Sequence, residues 1–422
     1  MTALTGLRVV ELSNERCAFA GKLLADMGAE VILVEPPGGD ITRGFEPFLD
    51  DISGPERSLS FWHYNTSKRG LVLNLDTELG RNVLRRIVAS ADVLLESEST
   101  TRLDSLGIAP RSLRVGHEEL ITISMAPFMR EGPRADEEAT DLTLLAGGGP
   151  AWSCGYDDHS LPPIRGGGNQ GYHTGCHYAV MALLVALVSR DETGVGQHID
   201  VDMHAAQNVT TEAGSYQWLV AEETVQRQTG RHAGVNPTPP TQVQCSDGRW
   251  VNTGVPARRG SDYQRVMDWL EEVGLAGEFP EMILLQMGAE HDHLGIDQVT
   301  TDSVIREIFQ AARDAIVLLA ASMPADEFFH SAQERGFQVG IIYSPEEVME
   351  DPHFKARGFP TEVQHPELDR SFTYSGAPYR FSSTPWAISS RAPLLGEHAD
   401  EILSKVDYGD DEIANLREEG VI

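Results

Sequence analysis

Short apolar runs alternate with amphipathic stretches over the first 125 residues of the chain. The runs are LRVVEL (7–12), EVILVE (30–35), LVLNL (71–75), DVLLE (92–96) and LITISM (120–125). Between them, the segments around GKLLADMG and GRNVLRRIVAS have the apolar spacing of helices. Strand followed by helix, repeated, is typical of a parallel sheet with helices on its faces. The pattern therefore predicts a Rossmann-like α/β layer.

A long apolar helix is predicted over about residues 174–190, after the Gly-rich stretch RGGGNQ, and a strand follows at HIDVDM (198–203). Beyond residue 230 the pattern changes. A proline-led hairpin with its turn at residues 246–248 precedes two helical patterns, YQRVMDWLEEVG and SVIREIFQAARDAIVLLAA. We expect a smaller α+β domain there, then a loop-rich segment from about residue 345 and a terminal helix near HADEILSKV.

Composition narrows the class of protein. With 422 residues, 41% of them apolar, the chain is long enough for two cores. A net charge of -31 argues against general affinity for nucleic acid or anionic membrane. The four cysteines have no CxxC spacing, which favours a reduced cytoplasm over a zinc site or a disulfide framework. The N-terminus lacks the pattern of a signal peptide, and the run at 179–188 is too short for a bilayer, so we expect a soluble protein.

Several segments, in the same order from end to end, resemble the family III CoA-transferases, also called the CaiB/BaiF family. This family includes formyl-CoA transferase, carnitine CoA-transferases and α-methylacyl-CoA racemase. The segments that carry the resemblance are GLRVVELS with LLADMGAEVILVEPPGGDITRG (6–44), YNTSKRGLVLNLDTELGR (64–81), ADVLLES (91–97), TGVGQHIDVDM (193–203), EDPHFKARGF (350–359) and APLLGEH (392–398). The resemblance implies coenzyme A or acyl-CoA as a substrate, and transfer of CoA between carboxylic acids.

The resemblance also implies how the chain is organised. Chains of this family form interlocked homodimers, and a large domain made from both chain ends carries a small inserted domain. We therefore predict a large CoA-binding domain over residues 1–225, completed by about 375–422. A small α+β domain would occupy residues 226–345, and residues 346–374 would form the return linker.

The coenzyme carries phosphates, so an acidic protein needs cationic donors for it at one place. The contacts that the resemblance implies are Arg16, Arg43, Lys68, Arg69, Ser97, Leu106 and Met203. Arg16 is not the family's usual residue at its position. The run ESTT that follows ADVLLES replaces the family's Asn-Phe-x-Pro-Gly, which leaves the role of Ser97 open. The alternative is that the charged residues are solvated surface groups and that Leu106 and Met203 belong to the core.

The start of the central helix is a natural place for chemistry on an anion. In the family an Asp there attacks the acyl-CoA thioester and forms a mixed anhydride. In this chain the helix register puts Tyr172 at that position, and alignment on the Thr-Gly pair puts Gly171 there. No Asp or Glu occurs between Asp158 and Asp191. A phenol titrates at about 10, so Tyr172 does not replace a carboxylate.

The hydroxyl of Tyr172 could still donate a hydrogen bond to the thioester oxygen, assisted by Asn169 or Gln170, or it could simply pack locally. The racemase pair is incomplete as well, since Asp141 is retained while Thr140 stands at the position of the family's His. His173 is the better placed base of the two helix histidines.

His173 and His177 are four residues apart and share a helix face, but no third metal ligand of matching motif follows, so no metal is predicted. The leading hypothesis is a cytoplasmic CoA-transferase that acts on an acyl-CoA and a carboxylic acid. One alternative is a catalytically incomplete subunit that pairs with an Asp-bearing homologue in a hetero-oligomer. Another is hydration, hydrolysis or proton transfer on acyl-CoA by Tyr172, His173 or Asp141. A nicotinamide dehydrogenase is disfavoured because SNERCAFAG lacks a GxGxxG turn.

Overall fold

The computed structural model describes residues 2–253, 257–295 and 298–422. The chain divides into two compact units. The larger unit consists of Met1–Cys154, Pro162–Val225 and Met349–Ile422, and the smaller one of Gly155–Leu161 and Gln226–Val348. The prediction that both chain ends build one large α/β domain is therefore confirmed.

A six-stranded parallel sheet forms the centre of the larger unit, with the strand order β3-β2-β1-β4-β5-β6. Its strands are β1 (Arg8–Leu12), β2 (Glu30–Glu35), β3 (Arg69–Val72), β4 (Val93–Glu96), β5 (Ile121–Ala126) and β6 (His198–Asp202). Val10 of β1 lies opposite Ile32 on one side and Leu94 on the other. The strand order reverses between β1 and β4, and in open α/β sheets ligands bind beyond the carboxyl ends of the strands at such a point.

Alternation along the strands decides which side chains face which layer of helices. Val9 and Val31 belong to one apolar cluster and Val10 and Ile32 to another, so neighbouring residues serve opposite faces of the sheet. The helices of this part are α1 (Ala18–Asp26), α2 (Leu59–Tyr64), α3 (Glu78–Val88), α4 (Thr100–Ser105), α5 (Pro110–Leu113), α6 (Asp141–Gly148), α7 (Gln170–Thr193), α8 (Met203–Val209) and α9 (Glu212–Ala221). Side chains of α1 and α7 pack on the face of the sheet that carries Val9, and those of α3 pack on the face that carries Val10.

The smaller unit packs helices against a three-stranded antiparallel sheet of β7 (Gln242–Gln244), β8 (Trp250–Thr253) and β9 (Val339–Ile341). The predicted hairpin at residues 246–248 joins β7 to β8. Its helices are α10 (Gly260–Glu272), α11 (Met282–Ala289), α12 (Gln298–Thr301), α13 (Ser303–Ser322) and α14 (Ala325–Glu334). Tyr263, Trp269 and Phe328 are buried at its centre.

The C-terminal part is more ordered than the loop-rich segment that we expected. After α15 (Pro345–Glu350) and α16 (Pro352–Ala356), the strands β10 (Pro360–His365) and β11 (Arg370–Ser375) form an antiparallel hairpin. The expected terminal helix is α17 (Ala399–Ser404), and a further helix, α18 (Asp410–Glu418), follows it. Side chains of α17 and α18 join those of α3 on one face of the large sheet. The missed hairpin lies largely outside the core, so its strands lack a strong apolar pattern.

Helix α7 begins at Gln170, about four residues before the predicted start, so Gly171 to His173 lie inside its first turn. It ends at Thr193, and the residue that caps it, Gly194, has a φ of 73° that suits glycine. With 24 residues, it is longer than the apolar run that we judged too short for a bilayer. By length and composition alone it could cross a membrane, but the core helices of soluble proteins meet the same two criteria. One side of α7 is buried in the larger unit, where a Cβ on Gly175 would lie 2.9 Å from Met203 Cε.

Candidate functional site

The first turn of α7 meets the loop after β1, the start of α6 and the end of α2. We call this group of side chains the α7 site, and its members are Glu15, Tyr64, Asp141, Tyr172 and His173. The loop after β1 is held locally, because the Asn14 side chain accepts a hydrogen bond from the Arg16 amide at 3.1 Å. The α7 site therefore lies beyond the carboxyl end of β1, next to the reversal of strand order.

Asp141 closes the N-terminal end of α7. It is the first residue of α6, whose start is fixed by a reciprocal capping box between Thr140 and Thr143. Its Oδ1 accepts hydrogen bonds from the amides of Gly171 at 2.7 Å and Tyr172 at 3.1 Å. The helix end that we expected to receive a substrate anion thus already holds a carboxylate of the chain itself.

Tyr172 is buried, and its hydroxyl donates to Glu15 Oε1 at 3.3 Å. Burial raises the pKa of Tyr172 to about 12, and the negative charge of Glu15 adds to the effect. The phenol is therefore protonated at neutral pH and acts as a donor. Gly171, the other position for the family nucleophile, is closed to a side chain, because a Cβ there would lie 2.9 Å from Asp141 Oδ1.

Sequence reasoning missed two residues of this site, Tyr64 and Glu15, and Glu15 is the one that carries a charge. It is only partly buried, and it brings a carboxylate to the hydroxyl of Tyr172 from a position 157 residues earlier in the chain. A signal existed in the sequence: an acidic side chain in the loop directly after the first strand of an α/β sheet lies where such folds bind ligands. The resemblance drew attention to Arg16 in the same loop and to Asp141, but not to Glu15.

His173 is held by two aromatic rings. Its Nε2 lies 2.9 Å from the hydroxyl of Tyr64, and Phe19 stacks on its ring with centroids 4.1 Å apart. Burial lowers the pKa of His173, so the imidazole is neutral at pH 7. Asn169 Nδ2 is 3.5 Å from the Tyr64 hydroxyl, and the exposed His177 meets Phe19 edge-on. Within the described ranges, no group of three or more His, Cys, Asp or Glu side chains is placed to hold a metal ion.

Two of the four cations expected to hold the coenzyme, Lys68 and Arg43, are buried with acidic partners. Lys68 Nζ donates to Glu11 Oε1 at 2.8 Å, to Ala18 O at 2.9 Å and to Asn65 Oδ1 at 2.9 Å, with no exposure of either charged side chain. Arg43 binds both oxygens of Glu35, at 2.6 and 2.8 Å. In these positions both cations bind side chains of the protein itself, and their contact with a coenzyme stays a prediction.

The other implied coenzyme contacts differ in their surroundings. Arg16 donates to Glu138 and to the carbonyl of Ala139, and Arg69 pairs with Glu401 at the protein surface. Met203 is fully buried in the core against α7, and Leu106 packs at the edge of the cluster around Val10. Ser97 is buried beyond the end of β4, and its hydroxyl has no hydrogen-bond partner among the residues that the structure describes. Contact of these residues with a coenzyme stays a prediction.

Arg165 is a further residue that the sequence did not single out. Its guanidinium donates to the carbonyls of Gly166 and Gly168, lies 3.4 Å from Asp141 Oδ2 and leaves a third of the side chain exposed. No other Lys or Arg occurs between Arg134 and Arg190, a gap that could have drawn attention to it. It brings a positive charge next to Asp141 of the α7 site.

Comparison with known proteins gives consistent matches over the whole chain. A family model described as CoA-transferase family III matches residues 4–399. The chain is 31% identical to the succinyl-CoA:(R)-benzylsuccinate CoA-transferase subunit BbsE of Thauera aromatica, over 98% of this chain and 97% of that protein. It is 29% identical to the formyl-CoA:oxalate CoA-transferase of Streptomyces avermitilis, over 100% and 99%. A CAIB/BAIF family protein from Brucella suis has a similar structure, with a TM-score of 0.79, 27% identity and coverage of 96% of this chain and 100% of that one.

Proposed function

This chain belongs to CoA-transferase family III, and from that premise we propose that it transfers CoA between carboxylic acids at the α7 site, with a dicarboxylic acid as one substrate. The observation that carries the assignment of the site is the start of α7 at Gln170. It places Gly171 and Tyr172, the two alternatives for the family's nucleophile position, in a helical turn at the carboxyl edge of the sheet. The acyl-CoA thioester would meet the chain there.

The substrate class rests on Arg165 and on the relatives. The two similar transferases named above act on benzylsuccinate and on oxalate, both of which are dicarboxylic acids. A dicarboxylic acid keeps one free carboxylate while the other is exchanged, and that free group needs a cationic partner in a protein with a net charge of -31. The partly exposed guanidinium of Arg165, beside Asp141, supplies one.

A second candidate is a subunit that works with a different, carboxylate-bearing chain in the cytoplasm. The relative from Thauera aromatica is itself named a subunit. One side of α7 also exposes Met181, Val185 and Val188 at helical spacing, and α9 exposes Leu219 and Val220. A second chain, identical or homologous, could pack on such exposed apolar side chains.

The test begins with the purified protein, a panel of acyl-CoAs and a panel of mono- and dicarboxylic acids, with exchange followed by mass spectrometry. Net release of free CoA without a new thioester would instead indicate hydrolysis. We expect Arg165→Gln to raise KM for dicarboxylic acids about 10- to 100-fold, because a charge-assisted hydrogen bond is lost. The KM for monocarboxylic acids should stay unchanged.

Arg134→Gln is the matched control, since Arg134 is an exposed arginine that pairs with Glu137. An equal change of KM for both classes of acid, or no change for either, would contradict the role of Arg165. If neither this chain nor its native complex exchanges CoA with any acid, the proposed function itself is wrong.

A further inference from the structure

The α7 site contains a carboxylate that the family resemblance does not assign. Glu15 lies in the loop after β1, and its Oε1 accepts a hydrogen bond from Tyr172, one of the two alternatives for the position of the family's nucleophile. The Glu15 carboxylate and the first turn of α7 are therefore neighbours in space, although the sequence separates them by 157 positions. We propose that Glu15 is the catalytic carboxylate of this chain and replaces the missing Asp. This inference rests on the proposed function.

The other nearby carboxylates are less suitable. Asp141 is engaged by two backbone amides through Oδ1 and is buried, so its negative charge is stabilised where it stands. Glu138 is exposed and pairs with Arg16. Glu11 is fully buried and pairs with Lys68. Glu15 differs from all three, because its carboxylate is partly exposed and is held by a 3.3 Å hydrogen bond to a neutral phenol.

The reaction balances without an oxidant, a reductant or a net proton. An oxygen of Glu15 attacks the thioester carbonyl carbon, the C–S bond breaks, and CoA leaves as a thiolate, which gives a mixed anhydride. The thiolate then attacks the Glu15 carbonyl carbon, and the first acid leaves as a carboxylate. The resulting glutamyl-CoA thioester is attacked at the same carbon by the acceptor carboxylate. CoA thiolate is released again, attacks the acceptor's acyl carbon and frees Glu15.

Tyr172 acts in this scheme as a positioning residue. Its hydroxyl stays protonated and fixes one oxygen of Glu15, which leaves the other oxygen to attack. When the carboxylate becomes an anhydride, its demand for that hydrogen bond falls, and the same hydroxyl can donate to the oxyanion that forms on the attacked carbonyl.

The experiment traps the intermediate on the full-length protein, in its native complex if it has one. The protein is incubated with acyl-CoA and hydroxylamine, which converts an activated Glu side chain to a hydroxamate. Trypsin should release residues 9–16 as one peptide that contains both Glu11 and Glu15, so fragmentation tells the two apart. We expect the hydroxamate on Glu15 alone, and its formation should require acyl-CoA.

Substitutions complete the test. Glu15→Gln keeps an acceptor for the Tyr172 hydroxyl, so folding should be preserved, and exchange should fall by at least about 10³-fold. Tyr172→Phe should lower exchange about tenfold without moving the site of trapping. Glu137→Gln, which removes an exposed carboxylate that pairs with Arg134, should leave exchange unchanged.

Two outcomes would overturn the proposal. If Glu15→Gln retains more than about a tenth of the exchange rate, or the hydroxamate forms on Asp141 or on another chain, Glu15 is not the nucleophile, although the proposed function stands. If the wild-type protein and its native complex give neither exchange nor adduct, both the inference and the proposed function fail.

Discussion

Replacing Lys68 with methionine tests whether this residue holds the protein core or the coenzyme. Lys68 Nζ has three acceptors in the interior, the carboxylate of Glu11, the carbonyl of Ala18 and the amide oxygen of Asn65. Methionine has a similar length and volume, so the substitution removes the charge and leaves little cavity. The Glu11 carboxylate then remains in the interior without its cation.

The expected cost follows from that unpaired charge. Breaking a buried ion pair by removing one partner typically costs about 3–5 kcal/mol. Glu11 and Lys68 both have side-chain exposures of 0%, so water does not replace the lost partner. We therefore expect Lys68→Met to lower the free energy of unfolding by about 3–5 kcal/mol at pH 8. The melting temperature should fall by roughly 5–10 °C.

The cost should depend on pH in one direction. Burial raises the pKa of Glu11 from 4.5 to about 7, against the opposing charge of Lys68, and removal of that charge raises it further. Above pH 4.5 the folded protein then retains a proton that the unfolded chain has lost. A carboxyl group whose pKa is higher in the folded protein than in the unfolded chain contributes stability at low pH. This contribution is fully present below the pKa of the unfolded chain and is lost as the pH rises through the pKa of the folded protein. The cost of the substitution should thus be about 1 kcal/mol smaller at pH 6 than at pH 8.

Calorimetric melting of the wild type and Lys68→Met at both pH values checks this reasoning. Lys405→Met is the matched control, because Lys405 pairs with Glu30 and Glu401 at the surface and such pairs contribute about 0–1 kcal/mol. The double variant Glu11→Gln/Lys68→Met should recover most of the lost stability. A Lys68→Met protein that melts like the wild type at pH 8 but no longer binds CoA would refute the structural role and favour direct contact with the coenzyme.

Two further predictions concern the start of α7 and the packing of α1. Asp141→Ala leaves the amides of Gly171 and Tyr172 without their acceptor, so we expect the free energy of unfolding to fall by about 3–5 kcal/mol. Amide hydrogen exchange at the first turn of α7 should become faster, and unchanged exchange there would contradict the capping role. Gly21→Ala places a Cβ 1.7 Å from Glu11 Oε2, so it should destabilise the protein by more than about 2 kcal/mol, as measured by denaturant titration. Gly44→Ala, with no atom within 4 Å of its added Cβ, is its control.

The central sheet could be predicted from the chain because its signal is local. The runs around Val10, Ile32 and Leu94 are apolar on both faces, which is typical of strands covered by helices on each side. The β10–β11 hairpin could not be predicted in the same way. Most of its residues are exposed or half-buried, so its strands lack the apolar pattern by which a strand is predicted from sequence. Helix α18 was missed for a related reason, since its short apolar face is completed by α3 and α17.

The candidate site also contains some features with a local sequence signal and others that depend on contacts between distant parts of the chain. Matching motifs led to the start of α7 and to the absence of an Asp there, and both observations concern residues that are neighbours in sequence. Glu15 and Arg165 were missed because each acquires its importance from a residue far along the chain, Tyr172 for Glu15 and Asp141 for Arg165.

The sequence by itself therefore determined the strands and helices of the central sheet, the presence of a second, smaller α+β unit and the family, all of which are encoded in apolar periodicity and ordered motifs. The tertiary structure alone decided which charge faces which. It buries Lys68 against Glu11, seals the end of α7 with Asp141 and brings Glu15 to Tyr172. The physical reason is that apolar burial is set residue by residue along an element. The partner of a charge depends instead on which elements meet, and in this chain those elements are tens to more than a hundred residues apart.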